Sequence, residues 1–176
     1  MSLVFFSLGS NINPSKNLSC ARIELSKYFS LKKYSSTYQS PSAGFDGADF
    51  LNEVLCFETD LEVSEVLKIT KNIEKNMGRE KSSKKYSDRN IDIDLILYDS
   101  FVGEVESTKL PHSDIENYNF VLIPLEEIAG EMIHPSLGIS MKDLAEQKKF
   151  TNKLLSLIKS LLPEIWLFHR SQPHHF

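Results

Sequence analysis

The sequence predicts a single α+β domain, and three observations carry that expectation. Short apolar runs bounded by turn residues alternate with stretches of helical spacing. The 176 residues suit one domain. At 41% apolar and 25% charged they can form a sizeable core, which excludes wholesale disorder. Taken in order, Leu3 to Leu8 is short, apolar and aromatic and runs into Gly9-Ser10-Asn11, a buried strand ending in a turn. Pro14 opens a helix whose face is Leu18, Ala21, Leu25, Tyr28 and Phe29 and which ends near Ser30. Tyr34 to Tyr38, rich in Ser, Thr and Tyr, reads as a strand. A loop from Gln39 to Asp49 follows, punctuated by Pro41, Gly44 and Gly47. Phe50 to Thr59 alternates as a further strand. Val63, Val66, Leu67, Ile73 and Met77 are spaced for a second helix, which Gly78 stops. Ile91 to Tyr98 is the clearest strand in the chain.

That order, β-α-β-β-α-β, is the ferredoxin-like sandwich, a four-stranded sheet with two helices on one face. Extra C-terminal elements follow: a hairpin-like stretch from Val102 to Leu110, the apolar stretch Phe120 to Ile128, and a polar segment. Leu154, Leu155, Ile158, Leu161 and Leu162 then mark a terminal amphipathic helix ended at Pro163. Residues 1–150 are expected to hold the domain and residues 151–176 a helical appendage of it. A formal charge of −4 argues against a nucleic-acid protein held by bulk charge, so an anionic ligand needs a local basic patch. Cys20 and Cys56 are too few for a disulfide framework and read as small core residues. No apolar run approaches the ~18 residues of a membrane span. The first residues have neither a basic n-region nor a cleavage site. A cytoplasmic monomer or weak homodimer is expected.

Arg89-Asn90-Ile91-Asp92-Ile93-Asp94-Leu95-Ile96-Leu97-Tyr98 is the strongest chemical constellation. Strand alternation turns Ile91, Ile93, Leu95 and Leu97 one way and Asp92 and Asp94 the other, with the carboxylates about 7 Å apart. Like charges so close are costly unless something cationic sits between them. A bare pair of acids on a strand is often only a solvated face, but Asp is depleted in strands and here occurs twice in the most apolar one. A divalent metal held with phosphate oxygens suits them. Immediately upstream, Arg79, Lys81, Lys84, Lys85 and Arg89 crowd a short loop with Ser82, Ser83 and Ser87. Such a loop alone is ordinary surface. Beside the two aspartates it has the composition a polyphosphate requires, and it is expected to close over one. His112 after Pro111 either donates to a phosphate or is a polar loop residue, while His134 before Pro135 reads as structural.

Ser7-Leu8-Gly9-Ser10-Asn11, Phe50-Leu51-Asn52 with Glu58-Thr59, and Ile73-Glu74 to Gly78-Arg79 precede the Asp92 strand. Pro111-His112 and Phe120-Val121-Leu122-Ile123-Pro124-Leu125 follow it. Together these segments, spread over residues 3–145, resemble the 6-hydroxymethyl-7,8-dihydropterin pyrophosphokinase family of folate biosynthesis. The resemblance implies transfer of a pyrophosphoryl group from ATP to the hydroxymethyl oxygen of the pterin, leaving AMP. It implies two Mg²⁺ ions on Asp92 and Asp94, with Arg79, Lys81 and Arg89 as further catalytic groups. Glu74, Lys81, Tyr86, Arg89 and His112 would serve the nucleotide. Asn52 would pair with the amide edge of the pterin between Phe50 and Phe120, and the segment holding Ser40, Pro41, Ala43 and Gly44 would close over it.

The chain departs from the family pattern at four positions. Lys81 replaces an Arg and loses its bidentate fork. Tyr86 stands for a Trp, and Ser113 for a residue often aromatic or Pro. Where a second phosphate-binding Arg precedes Phe120, this chain has Tyr118 or Asn119. A low-activity pterin- and nucleotide-binding paralogue is therefore the alternative to an active enzyme.

Overall fold

The computed structural model describes residues 1–42, 46–78 and 88–161. Strand β1 (Ser2–Ser10) leads through Asn13, in left-handed backbone, into helix α1 (Pro14–Leu25). Proline at the first helical position has no N–H to leave unpaired. Strands β2 (Ser30–Tyr34) and β3 (Tyr38–Ser40) precede the long β4 (Phe50–Thr59), and α2 (Val63–Asn76) follows. Gly78, at φ 93°, stops α2. Strand β5 (Asp92–Tyr98) leads to a hairpin of β6 (Gly103–Val105) and β7 (Thr108–Leu110). Helices α3 (Asp114–Asn117), α4 (Asn119–Ala129) and α5 (Met141–Leu161) complete the described chain.

The main sheet is antiparallel in the order β2-β4-β1-β5, with β3 also paired to β4. One face carries Val4, Phe6, Leu8, Leu55 and Phe57 against Leu18, Ala21 and Leu25 of α1 and Val66, Leu67 and Ile73 of α2. The other carries Phe5, Val54 and Cys56 against Val121, Leu122 and Leu125 of α4 and Met141, Leu144 and Ala145 of α5. Burial on both faces explains why β1 reads as a continuous apolar run rather than an alternating one. Burial also pushes the Cys56 thiol up to about 11, so it is an inert core residue as expected.

Four readings need correction. The first helix, expected to reach Ser30, stops at Leu25, and Ser30 already begins β2. The strand expected over Tyr34 to Tyr38 is the interruption between β2 and β3. There Ser35 Oγ accepts from Val54 N at 3.0 Å and donates to the Ser36 carbonyl at 2.8 Å, so short polar side chains replace part of the ladder. Leu97 does not share a face with Ile93 and Leu95. A register shift between Phe5 and Phe6 puts Ile96 and Leu97 together in the α4/α5 core. The terminal helix begins at Met141, inside the segment read as polar and well before the Leu154 stripe that marked it in the sequence.

Candidate active site

Both neighbours of β1 run antiparallel to it, so the end of β1 and the starts of β4 and β5 meet at one end of the sheet. Their register sets Asn52, Gly9 and Asp92 side by side across three strands, with Val54, Ser7 and Asp94 in the next row of the same face. Gly9 leaves bare backbone in the middle of the first row. A Cβ there would lie 3.4 Å from Asn52 Oδ1 and 3.7 Å from Phe50 Cδ1, so the amide and the ring of β4 lean over it. Asn52 is buried. Its Nδ2 donates to the Tyr38 carbonyl at 3.2 Å and to Ser40 Oγ at 3.0 Å, which holds Oδ1 over Gly9.

Asp92 and Asp94 share a face, as strand alternation requires, and both are half-buried. Among the described residues Arg89 supplies a cation to the first of them, its guanidinium donating to Asp92 Oδ2. Among the described residues no group of three or more His, Cys, Asp or Glu could close around an ion. Two carboxylates on a rigid strand instead fit Mg²⁺, which keeps several waters and takes phosphate oxygens for the rest of its octahedron.

Strand β5 lies at the sheet edge, and two predicted nucleotide residues attend its outer side. Glu74 of α2, 6% exposed, accepts from Ile93 N at 2.8 Å, between the two aspartates. His112 follows a cis Leu110–Pro111 bond. Its backbone N donates to the Ile96 carbonyl at 2.9 Å, and its Nδ1 accepts from Asp114 N at 3.3 Å. A groove of about 790 Å³ runs along this edge, bordered by Lys71, Glu74, Lys75, Asp94, Lys109 and His112.

Asn11 received no role of its own from the sequence, yet its buried side chain links two loops. Its Oδ1 accepts from Arg89 N at 2.7 Å, and its Nδ2 donates to Asp88 Oδ1 at 2.6 Å and to the Ala48 carbonyl at 3.2 Å. The Gly-Ser-Asn turn was the visible signal, but its partners are far away in sequence. At the start of α4, Tyr118 stacks on Phe120, with ring centroids 4.9 Å apart and planes at 19°. Thus Ser40, Phe50, Asn52, Glu74, Arg89, Asp92, Asp94 and His112 gather around one end and edge of the sheet. Phe120 lies at the start of the helix packed over the same face, and Pro41 directly follows β3. Ala43, Gly44, Arg79, Lys81, Lys84, Lys85 and Tyr86 lie outside the described residues.

A profile described as 7,8-dihydro-6-hydroxymethylpterin-pyrophosphokinase (HPPK) matches residues 5–130. The chain belongs to the HPPK family. It is 37% identical over 145 residues to the 2-amino-4-hydroxy-6-hydroxymethyldihydropteridine pyrophosphokinase of Aquifex aeolicus, covering 81% of this chain and 90% of that one. It is 32% identical over 155 residues to the protein of the same name from Haemophilus influenzae, covering 84% and 96%. Among solved structures, wild-type HPPK-DHPS of Plasmodium falciparum superposes with a TM-score of 0.68 at 14% identity. That match covers 91% of this chain but 46% of that one, so this HPPK chain spans less than half of that longer protein. The resemblance read from the Asp92 strand and its flanking motifs is thereby borne out. No described helix is long and apolar enough to cross a membrane.

Proposed function

We propose that this chain transfers a pyrophosphoryl group from ATP to the hydroxymethyl oxygen of 6-hydroxymethyl-7,8-dihydropterin, as a step of folate biosynthesis. The hydroxymethyl oxygen forms a bond to the β-phosphorus, the bond from that phosphorus to the α–β bridging oxygen breaks, AMP departs, and the hydroxyl proton is released. The row Asn52–Gly9–Asp92 carries the proposal. It sets an amide able to read a heterocycle and a carboxylate suited to a phosphate-bound metal one strand apart on either side of bare backbone. The order β2-β4-β1-β5, with α1 and α2 in the connections, supports the ferredoxin-like reading of the scaffold.

In this reading Asn52 Oδ1 accepts from the pterin edge, and Phe50 and Phe120 flank its ring. Asp92 and Asp94 hold Mg²⁺, two ions in the full complement, which when bound neutralises triphosphate charge and favours in-line attack. Arg89 fixes Asp92, Glu74 fixes the strand between the aspartates, and His112 with the cations of residues 79–89 meets the phosphates. ATP and the pterin are the partners, with nucleic acid disfavoured by the net charge of −4.

A binding protein with slow turnover is the second reading. It is favoured by Tyr118, whose ring lies on Phe120 where a phosphate-binding cation was expected. Incubation with ATP, Mg²⁺ and the dihydropterin separates the two. Pterin-dependent AMP release at ordinary enzymatic rates supports the first, pterin and nucleotide binding with negligible AMP supports the second, and absence of pterin binding overturns both.

A further inference from the structure

We infer that Tyr118 is a positioning residue for the pterin, its ring bracing Phe120 in the orientation that receives a flat heterocycle. The inference rests on the pterin reading of Phe120 given above. Helix α4 carries Pro124, which has no N–H to donate to the Phe120 carbonyl four residues earlier, so the turn holding Phe120 lacks one helical bond. The Tyr118 backbone is anchored on both sides, although the residue is 38% exposed. Its N donates to the Asp114 carbonyl at 2.9 Å, and its own carbonyl accepts from Val121 N at 3.2 Å and Leu122 N at 3.0 Å.

Tyr118 is the N-cap of α4 in extended backbone, and its side chain makes no capping hydrogen bond. Its ring is instead laid nearly parallel on that of Phe120. One aromatic face of Phe120 is therefore taken by Tyr118, and a heterocycle stacks on the other. An Arg at this position would add a cation. The Tyr spends the same position on ring orientation, so the effect belongs to the pterin and not to the nucleotide.

The test is calorimetric titration of 6-hydroxymethylpterin into the full chain holding Mg²⁺ and a non-hydrolysable ATP analogue, with the analogue's own Kd and the Tm measured in parallel. Tyr118→Ala should weaken pterin binding by about two- to tenfold, the range of one aromatic pair. Analogue Kd should stay at its wild-type value, and Tm should fall by no more than the few degrees that one aromatic pair accounts for. Tyr118→Phe, which keeps the ring, should restore wild-type pterin affinity. Unchanged pterin affinity in Tyr118→Ala overturns the inference, as does a Tyr118→Phe protein as weak as Tyr118→Ala. Equal weakening of both ligands, with or without a loss of Tm, marks a general structural role and also overturns it. Wild-type protein that binds no pterin overturns the functional reading itself; wild-type binding with an unresponsive Tyr118→Ala overturns this inference alone.

Discussion

Removing the Glu74 carboxylate should loosen the strand that carries both aspartates. Glu74 is 6% exposed and accepts from Ile93 N at 2.8 Å, so water cannot readily take its place. Leaving a buried N–H without its acceptor costs about 1–3 kcal/mol. Glu74→Ala should therefore lose about 2 kcal/mol of stability or more. At roughly 2–4 °C per kcal/mol for a chain of this size, Tm should fall by about 4–8 °C. Glu74→Gln keeps an acceptor oxygen and should lose less than half as much. Because Ile93 stands between Asp92 and Asp94, pterin-dependent AMP formation should fall at least about tenfold in Glu74→Ala, as displaced catalytic groups do. Scanning calorimetry and steady-state kinetics read the two effects. A Glu74→Ala protein melting within about 1 °C of wild type would refute the argument. Lost activity at unchanged Tm would move Glu74 from holding the strand to contacting the ligand.

Asp92→Asn and Asp94→Asn should each abolish AMP formation at saturating Mg²⁺, and Asp92→Asn should also lower Tm, because it weakens the ion pair with the mostly buried Arg89 guanidinium. Near wild-type turnover in either variant sinks the metal assignment. Gly9→Val should press on Asn52 Oδ1 and Phe50 and raise the pterin KM more than the ATP KM, and equal effects on both would show that Gly9 serves the sheet alone. Burial holds the His134 imidazole below its ordinary 6.5, against a weaker upward pull from Glu116. Its neutral Nδ1 accepts from Ser136 N and Leu137 N, both at 3.3 Å. With the folded value depressed, the unfolded chain takes up the proton first on acidification. The contribution of His134 is thus complete above pH 6.5 and is lost as pH falls from there toward the folded value. Tm measured from pH 8 down to 5, a window spanning the ordinary value, should drop less steeply for His134→Asn than for wild type, and parallel slopes would count against the assignment.

The local devices of this fold were legible, and its long-range ones were not. Two aspartates in an apolar strand announced themselves because Asp is so poorly suited to that setting. Gly78 was readable as a helix stop for the same local reason, and its φ of 93° bears this out. The break at Ser35 escaped notice because Ser and Thr satisfy strand composition while their hydroxyls compete for the same backbone groups. Nothing in the residues of β5 marks the register shift that sends Leu97 to the opposite face, since the shift is a property of its pairing with β1. Arg89 was read as a phosphate ligand from the basic run and the family resemblance, whereas its contact also supplies Asp92 with a cation. The links from Glu74 to Ile93 and from Asn11 to Ala48, Asp88 and Arg89 join residues far apart in the chain, where periodicity carries no information.

Gly78 and Asn90 bracket the basic segment, and they are close neighbours: a Cβ on Gly78 would come within 2.8 Å of Asn90 Nδ2. Two positions on either side of residues 79–87 thus meet at nearly the same point, with Asn11 clasping Asp88 and Arg89 just before the second. Closure entropy grows so slowly that doubling such a connection adds only about 0.6 kcal/mol. Insertions or deletions between two ends already held so close would leave the sheet and its two cores as they are. Arg79, Lys81, Lys84 and Lys85 fall in sequence between those ends, whereas Asp92 and Asp94 sit on a strand of the main sheet. The two charge sets are therefore under different structural constraint: the carboxylates are bound by the register of β5 on β1, and that register does not depend on the length between Gly78 and Asp88.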